Sequence, residues 1–159
     1  MVWLVATEQT KAVYIASDHG GFDLKKFLVG ELAPRGYCVT DLGPSTYNPN
    51  DDYPAYAKMV AEAVAKAEDA GIGIVLCRNG VGMSVVANKV RGIRCALSWT
   101  PEHARSAKTD DNANVLALPA DYITREVALQ TALTFLSTPF SNADRHVARL
   151  ADYGDTGNF

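Results

Sequence analysis

A chain of 159 residues with 48% hydrophobic residues and a formal net charge of −3 is long enough to bury a substantial core in one domain. The charge provides no overall basic field for nucleic acid, and no apolar run approaches the roughly 18 residues that would span a membrane. Three cysteines, Cys38, Cys77 and Cys95, show neither CxxC spacing nor even pairing, which favours reduced thiols in a cytoplasmic protein over disulfides or a zinc site.

Apolar segments alternate with helical patterns along the whole chain. The predicted strands are Ala12–Ser17, Tyr37–Leu42, Ala70–Leu76, Arg94–Ser98 and Asn114–Leu118. The predicted helices are Phe22–Ala33, Pro54–Ala67, Met83–Val90, Pro101–Lys108, Thr124–Ser137 and Ala143–Tyr153. Five strands alternating with helices predict an α/β fold, a three-layer sandwich with a five-stranded parallel sheet of the Rossmann or flavodoxin-like kind. We expect a single domain over residues 12–153, a flexible N-terminal extension over 1–11 and a flexible tail over 154–159.

The segment Cys77–Ser84 carries the strongest chemical signal. The apolar run before it predicts a buried strand that ends on the thiol of Cys77, and a glycine-containing turn then leads into a helix. Such a junction directs several backbone N–H groups and the positive end of a helix dipole at one point. This arrangement suits an anion and equally favours a thiolate. A buried structural cysteine beside an ordinary turn remains the alternative from this segment alone.

Polar residues also follow the ends of the other predicted strands. The segment Asp18–Gly21 follows the first strand, and the loop over residues 48–53 follows the second. In a parallel α/β sheet ligands bind at the carboxyl ends of the strands, so these residues should converge with Cys77. An aspartate, a histidine and a thiol in one cleft can move protons near neutral pH. The alternative is that Asp18 only caps a helix and that His19 is an exposed loop residue.

Five segments together carry a resemblance to a known family. They are Ala16–Lys25, Asp52–Pro54, Cys77–Arg94, Asn112–Leu118 and Arg145–Arg149. The chain resembles the ribose-5-phosphate isomerase B family, which includes galactose-6-phosphate isomerase relatives, from about Val13 to Tyr153. This resemblance implies an aldose–ketose isomerase of carbohydrate metabolism that acts on a small sugar phosphate without metal or organic cofactor. A base would move a proton between C1 and C2 of the sugar through a cis-enediolate.

The resemblance also implies roles for matching residues. Cys77 stands at the position of the family's catalytic base, while the glutamate that serves as base in other members is Met83 here. Asp18 matches a ligand of the substrate hydroxyls, and we rank it with Cys77 as catalytic. The implied substrate-binding residues are His19, Tyr53, Asn79, Gly80, Gly82, Ser84, Asn112, Arg145 and Arg149. Backbone N–H groups of Asn79–Gly82 could face the enediolate oxygen.

The implied phosphate ligands are His19, Arg145 and Arg149. The two arginines stand four residues apart, which places them on one helix face, and a solvated helical face is the alternative interpretation. We further expect a homodimer with the site at the subunit interface. Its partner would be a small-molecule sugar phosphate, with no nucleic acid and no membrane.

Three positions depart from the family pattern. The histidine that opens the sugar ring falls on Asp110, a phosphate-binding arginine falls on Asp121, and Arg78 replaces the usual glycine. An ionised aspartate cannot donate a proton to the ring oxygen, so we expect ribose 5-phosphate to be a poor substrate. A tetrose 4-phosphate would need no ring opening. Asp110 remains a third catalytic candidate, because burial could raise its pKa, or that of Asp111, enough to replace the histidine.

Two other functions remain open from the sequence. One is an isomerase for a hexose phosphate or an unphosphorylated sugar, and the other is a non-catalytic module that binds a sugar phosphate. Cys77 distinguishes catalysis from binding, because a binding module has no use for a thiol at the reacting carbons.

Overall fold

The computed structural model describes residues 11–153. The predicted flexible segments 1–11 and 154–159 lie outside the described residues, except for Lys11. The strands are β1 (Ala12–Ser17), β2 (Cys38–Asp41), β3 (Gly71–Cys77), β4 (Cys95–Leu97) and β5 (Val115–Pro119). The helices are α1 (Phe22–Leu32), α2 (Tyr53–Ala67), α3 (Val81–Ala87), α4 (Pro101–Asp111), α5 (Arg125–Ser137) and α6 (Asp144–Asp152). Each predicted element is present, β3 ends at Cys77 as expected, and the differences lie at the ends of other elements, where α3 starts two residues early and α4 extends to Asp111.

All five strands are parallel and lie in the order β2-β1-β3-β5-β4. The predicted fold class is therefore confirmed. Both faces of the sheet are covered, because alternate residues of the central strand β3 enter two different hydrophobic clusters. Ile74 and Leu76 pack in the cluster formed with α1, α4 and α5, whereas Val75 and Cys77 pack in the cluster formed with α2 and α3. Full burial of an Ile or Leu side chain stabilises the fold by about 1.5–3 kcal/mol relative to exposure.

Two glycines in β3 let α2 lie close to the sheet. A Cβ atom on Gly71 would stand 2.7 Å from the Cβ of Ala67, and one on Gly73 would stand 2.7 Å from Cγ1 of Val60. Since α2 runs antiparallel to the strands, its first residues lie at the carboxyl edge of the sheet. The close packing therefore holds Tyr53, at the start of α2, near the end of β3.

The loop between β2 and α2 is held by an ion pair between a buried lysine and a partly exposed aspartate. Lys25 of α1 is fully buried, and its Nζ donates hydrogen bonds to Asp41 Oδ1 at 2.7 Å and Oδ2 at 2.8 Å. The same Nζ donates to the carbonyl oxygen of Pro44 at 2.6 Å. A buried ammonium left without these acceptors would be strongly destabilising, so the start of the loop is fixed against α1. No helix within residues 11–153 is long and apolar enough to cross a bilayer.

Candidate active site

Adjacent strands β1 and β3 bring two of the predicted catalytic residues together. Their register pairs Ala16 with Val75 and Ser17 with Leu76. The N–H of Asp18 continues this ladder by donating to the carbonyl oxygen of Leu76 at 3.2 Å. Asp18 therefore lies beside Cys77. Because side chains alternate along a strand, both are directed toward the face of the sheet covered by α2 and α3.

This position is also the topological switch point of the sheet. The chain leaves β1 for β2 on one side, while β3 lies on the other side of β1. Open α/β sheets bind ligands in the crevice that forms where the strand order reverses. The sheet topology therefore brings the polar residues that follow β1 and β3 together at the carboxyl edge, as the sequence predicts.

Cys77 is buried, with 4% of its surface exposed, at the end of β3. The backbone N–H of Gly80 donates to its Sγ at 3.2 Å, and the thiol reaches Asn79 Oδ1 at 3.9 Å. The N–H group of Gly80 thus holds the sulfur at the turn that follows β3. Burial raises the pKa of the Cys95 thiol to about 12, so that thiol stays protonated. Of these two thiols, Cys77 is the one that lies beside Asp18 at the switch point.

The loop after Cys77 is shaped by Gly80. Its φ of +73° lies in the left-handed region, and a Cβ atom would stand 2.5 Å from Leu97 Cδ1. Within this loop Asn79 Oδ1 accepts from the N–H of Val81 at 3.0 Å, and Ser84 Oγ donates to the carbonyl of Val81 at 2.8 Å. Two of the N–H groups expected to face an oxyanion, those of Gly80 and Val81, thus donate within the loop. These two N–H groups order the loop in this structure, and the orientation of N–H groups of Asn79–Gly82 toward a substrate oxygen stays a prediction.

Asp18 is a buried carboxyl group at the mouth of the crevice. Burial raises its pKa, and the N–H of Gly21, which donates to Oδ1 at 3.1 Å, and the charge of His19 partly oppose that rise. A carboxyl group of this kind exchanges protons more readily at neutral pH than a surface aspartate.

Tyr53 forms one wall of the site. A Cβ atom on Gly82 would stand 2.6 Å from the Tyr53 ring, so the ring packs directly on the first turn of α3, which follows the Cys77 loop. The Asp52 side chain accepts from the N–H of Tyr53 at 3.0 Å and caps α2. The predicted substrate-binding positions Tyr53 and Gly82 are therefore in contact.

His19 is held by a residue that the sequence analysis did not single out. Asp51 Oδ1 accepts from the backbone N–H of His19 at 2.8 Å and lies 2.9 Å from its Nδ1. The available signal was the acidic pair Asp51-Asp52 at the end of the loop after β2. Nothing in the local sequence distinguished the helix cap Asp52 from the histidine partner Asp51.

Four other predicted site residues lie at the opposite edge of the sheet. Helix α4 runs back to the amino edge, where Asp110 accepts from Thr109 Oγ1 at 2.8 Å and lies 3.9 Å from His146 Nε2. Arg145 Nε donates to the same His146 nitrogen at 3.2 Å. The four residues are Asp110, Asn112, Arg145 and Arg149. Within the described part of the chain, no hydrogen bond or ion pair joins them to the residues around Cys77.

Asp110 has the opposite electrostatic environment from Asp18. The hydroxyl of Thr109 lowers its pKa, and the charges of His146 and Arg145 act in the same direction. The alternative, that burial raises the pKa of Asp110 enough to replace the histidine, is wrong, because the carboxyl group is half exposed and hydrogen-bonded. Asp110 is ionised at neutral pH and can accept a proton but cannot donate one.

Two of the departures from the family pattern pair with each other. Arg78 Nη1 lies 3.4 Å from Asp121 Oδ2, and both side chains are exposed. An exposed pair of this kind contributes at most about 1 kcal/mol to stability. Asp121 is therefore not an unpaired negative charge near the cleft. The edge that lacks the family's arginine at position 121 has Arg78 instead.

A groove of about 460 Å³ lies between α2 and the β1–β2 side of the sheet, lined by Tyr14, Leu42 and Met59 among others. It contains none of the predicted site residues, and its walls offer one acid and one base, Glu62 and Lys66. Among residues 11–153, no group of three or more His, Cys, Asp or Glu side chains is arranged to hold a metal ion.

A parallel α/β sheet with a hydrogen-bonded thiol and a buried carboxyl group at its switch point defines an enzyme class that moves protons on a small molecule. The chain matches the ribose/galactose isomerase family over residues 13–153. A probable ribose-5-phosphate isomerase B of Mycoplasma genitalium is 40% identical over 138 residues, which covers 87% of this chain and 90% of that protein. Ribose-5-phosphate isomerase B of Mycolicibacterium paratuberculosis is 39% identical over 147 residues, covering 91% and 92%.

The similarity extends to solved structures. Ribose-5-phosphate isomerase B of Mycoplasma genitalium, crystallised with bound ribulose-5-phosphate, superposes with a TM-score of 0.88 at 38% identity, covering 91% of this chain and 95% of that one. The chain therefore belongs to the ribose/galactose isomerase family, and the resemblance inferred from its motifs is confirmed.

The raised pKa of Asp18 predicts a pH-dependent effect of Asp18→Asn. The unfolded chain ionises Asp18 at its ordinary pKa of 3.8, whereas the folded protein resists ionisation. Wild-type stability from this group is therefore present at low pH and lost as pH rises through the folded pKa. We expect Asp18→Asn to melt higher than wild type at neutral pH, and the difference to vanish in acid, in thermal unfolding measured across that range.

The control is Asp23→Asn, which changes an exposed carboxylate in the first turn of α1 and should bring no such gain. An Asp18→Asn protein whose melting temperature differs from wild type equally at neutral and acid pH would contradict the account of Asp18.

Proposed function

We propose that the protein is an aldose–ketose isomerase that interconverts a small sugar phosphate, of the ribose 5-phosphate and ribulose 5-phosphate type. The observation that carries this proposal is the placement of Cys77 beside Asp18 at the switch point, with a backbone N–H directed at the sulfur. Relatives named ribose-5-phosphate isomerase B cover nearly the whole chain and support the same reaction.

In the proposed reaction Cys77 acts as the base. Its thiolate removes the proton from C2 of the open-chain aldose, the C2–H electron pair forms the C1=C2 bond, and O1 takes a proton. The resulting cis-enediol then loses its O2 proton, and the thiol returns a proton to C1, which regenerates the thiolate. Asp18 is placed to carry the proton between O2 and O1, since its buried carboxyl group holds a proton more readily than an exposed one. The sequence implies no cofactor for this proton transfer.

We propose further that the working enzyme is a homodimer whose sites combine both subunits. Cys77 lies at the carboxyl edge of the sheet, while Arg145 and Arg149 are exposed on α6 near the amino edge. If both groups contact one sugar phosphate, the arginines must come from a second subunit. A two-fold interface would then make two identical sites. The three free cysteines support a location in the reducing cytoplasm.

Substrate choice depends on the ring-opening step. Ribose 5-phosphate is mostly a furanose, and its ring oxygen needs a proton donor during opening. The ionised state of Asp110 supports the expectation that this step is slow here. An open-chain ketose, or a tetrose 4-phosphate that cannot close a furanose through its phosphorylated end, avoids the step.

The first test of the function concerns the base. Cys77→Ala should lower kcat for sugar-phosphate isomerisation by about 10²–10⁴-fold, the usual contribution of a general base. Only a small side chain at a strand end is lost, so the fold should persist. Cys95→Ala is the matched control, because its thiol is held protonated by burial and should leave turnover unchanged. Near-wild-type turnover by the Cys77→Ala protein would exclude Cys77 as the base.

Mixing two impaired variants tests the shared site, with activity measured at a substrate concentration well below the KM of the Arg149→Ala protein. Cys77→Ala and Arg149→Ala should each be impaired alone, the second mainly through KM. In a site shared between subunits, random exchange makes half of the dimers hybrid, each with one complete site, so about a quarter of wild-type activity should return. If one chain supplied every residue of a site, no hybrid would hold a complete site. Activity that stays at the level of the parent variants after verified subunit exchange would therefore refute the shared site.

Asp110→His tests the ring-opening argument. We expect the change to raise kcat/KM for ribose 5-phosphate, because an imidazole can donate the proton that the ionised carboxylate lacks. Turnover of erythrose 4-phosphate by the same variant should not rise, which makes that sugar the internal control. A wild-type kcat/KM for ribose 5-phosphate of about 10⁴ M⁻¹s⁻¹ or more, unimproved by the change, would defeat the expectation.

A further inference from the structure

The contact between Asp51 and His19 has a geometry that constrains the charge of the imidazole. Asp51 Oδ1 accepts from the His19 backbone N–H at 2.8 Å and lies 2.9 Å from Nδ1. The Asp51 side chain is 5% exposed, whereas that of His19 is 26% exposed. The histidine thus has Nδ1 against a buried carboxylate, while about a quarter of its side chain stays exposed.

A carboxylate only accepts hydrogen bonds, so Nδ1 must carry the proton in this pair. If the open nitrogen, Nε2, also donates to an anion, the imidazole carries both protons and is a cation. The carboxylate beside it is then its counter-charge.

The surroundings of Asp51 favour this charged pair. Its second oxygen, Oδ2, is buried and has no partner at hydrogen-bond distance among the described residues. A buried carboxylate needs an opposite charge, since an unpaired buried charge is strongly destabilising. The neighbouring Tyr56 offers Asp51 a hydrogen bond but no positive charge: burial, then the negative charge of Asp51 and that hydrogen bond, raise the pKa of its phenol. Asp18, which also interacts with the charge of His19, is an acid as well.

We propose that Asp51 is a positioning residue that holds the His19 ring with Nδ1–H directed at its carboxylate and supplies the counter-charge when Nε2–H donates to an anionic phosphate group. The identity of the substrate as a sugar phosphate rests on the proposed function. The binding of an anion by His19 can be tested without it. It adds to the site a residue that contacts the substrate only through His19.

Two substitutions separate charge from geometry. Asp51→Asn keeps an oxygen that can accept from the His19 backbone and from Nδ1 but removes the negative charge. Asp52→Asn is the matched control, because Asp52 is the adjacent acid in the same loop and asparagine caps a helix equally well. Thermal unfolding confirms that each variant is folded before binding is measured.

The first measurement uses inorganic phosphate and ¹⁵N NMR of the His19 ring. In wild type, phosphate should convert His19 to the form with both nitrogens protonated, and Asp51→Asn should weaken phosphate binding by about tenfold or more, as expected for a lost charge-assisted partner. Asp52→Asn should bind phosphate as wild type does. Wild-type protein that takes up no phosphate at His19, or that binds it with Nδ1 unprotonated, would overturn the proposal.

The second measurement is kinetic. The assay uses a sugar phosphate that the wild-type enzyme isomerises. Asp51→Asn should raise its KM by about tenfold while kcat changes little, because the lost Asp51–His19 charge interaction acts on phosphate binding and not on the base. Equal KM values for Asp51→Asn and wild type would refute the role of Asp51. If wild type turns over no sugar phosphate, the proposed function fails, and the phosphate titration still decides the role of Asp51.

Discussion

The pairing of β1 with β3 is the constraint on which the rest of the site depends. Their register carries the ladder one residue past Ser17 and sets Asp18 beside Cys77 on the same face of the sheet. A slip of one residue would send one of the two side chains to the opposite face, because the side-chain period of a strand is two. The hydrophobic clusters prevent such a slip, since it would also move each buried side chain of the slipped strand from one cluster to the opposite face of the sheet. The chemistry of the site is therefore fixed by the packing of the core.

The carboxyl edge of the sheet contains several acids, and the structure treats each in a different way. Asp18 is buried and its pKa rises, Asp51 is paired with His19, and Asp121 is paired with Arg78. A crevice with three uncompensated carboxylates would repel an anionic substrate. Because two of these charges have local partners, that repulsion is reduced at the edge where Cys77 lies.

Much of this arrangement could be predicted from the sequence, because it follows from topology. Alternating strands and helices imply a parallel sheet, and residues that follow parallel strands meet at one edge, as Asp18 and Cys77 do. The pairing of His19 with Asp51 could not be predicted, since it depends on the path of the loop over residues 42–52 and links positions 32 residues apart. The pairing of Arg78 with Asp121 spans 43 residues and depends on the same kind of loop geometry.

The position of Asp110 was, by contrast, available from the sequence. A residue that directly precedes a parallel strand lies at the amino edge of the sheet, so Asp110 before β5 could not share a crevice with Cys77 in one chain. The helix α6 joins the same edge because Ser141, just before it, donates its N–H to the carbonyl of Thr109. Under the proposed dimer this separation has a functional consequence. A folded single chain would present either the base or the phosphate arginines to a given substrate, but never both, so that activity would follow the concentration of dimer and not the concentration of folded chain.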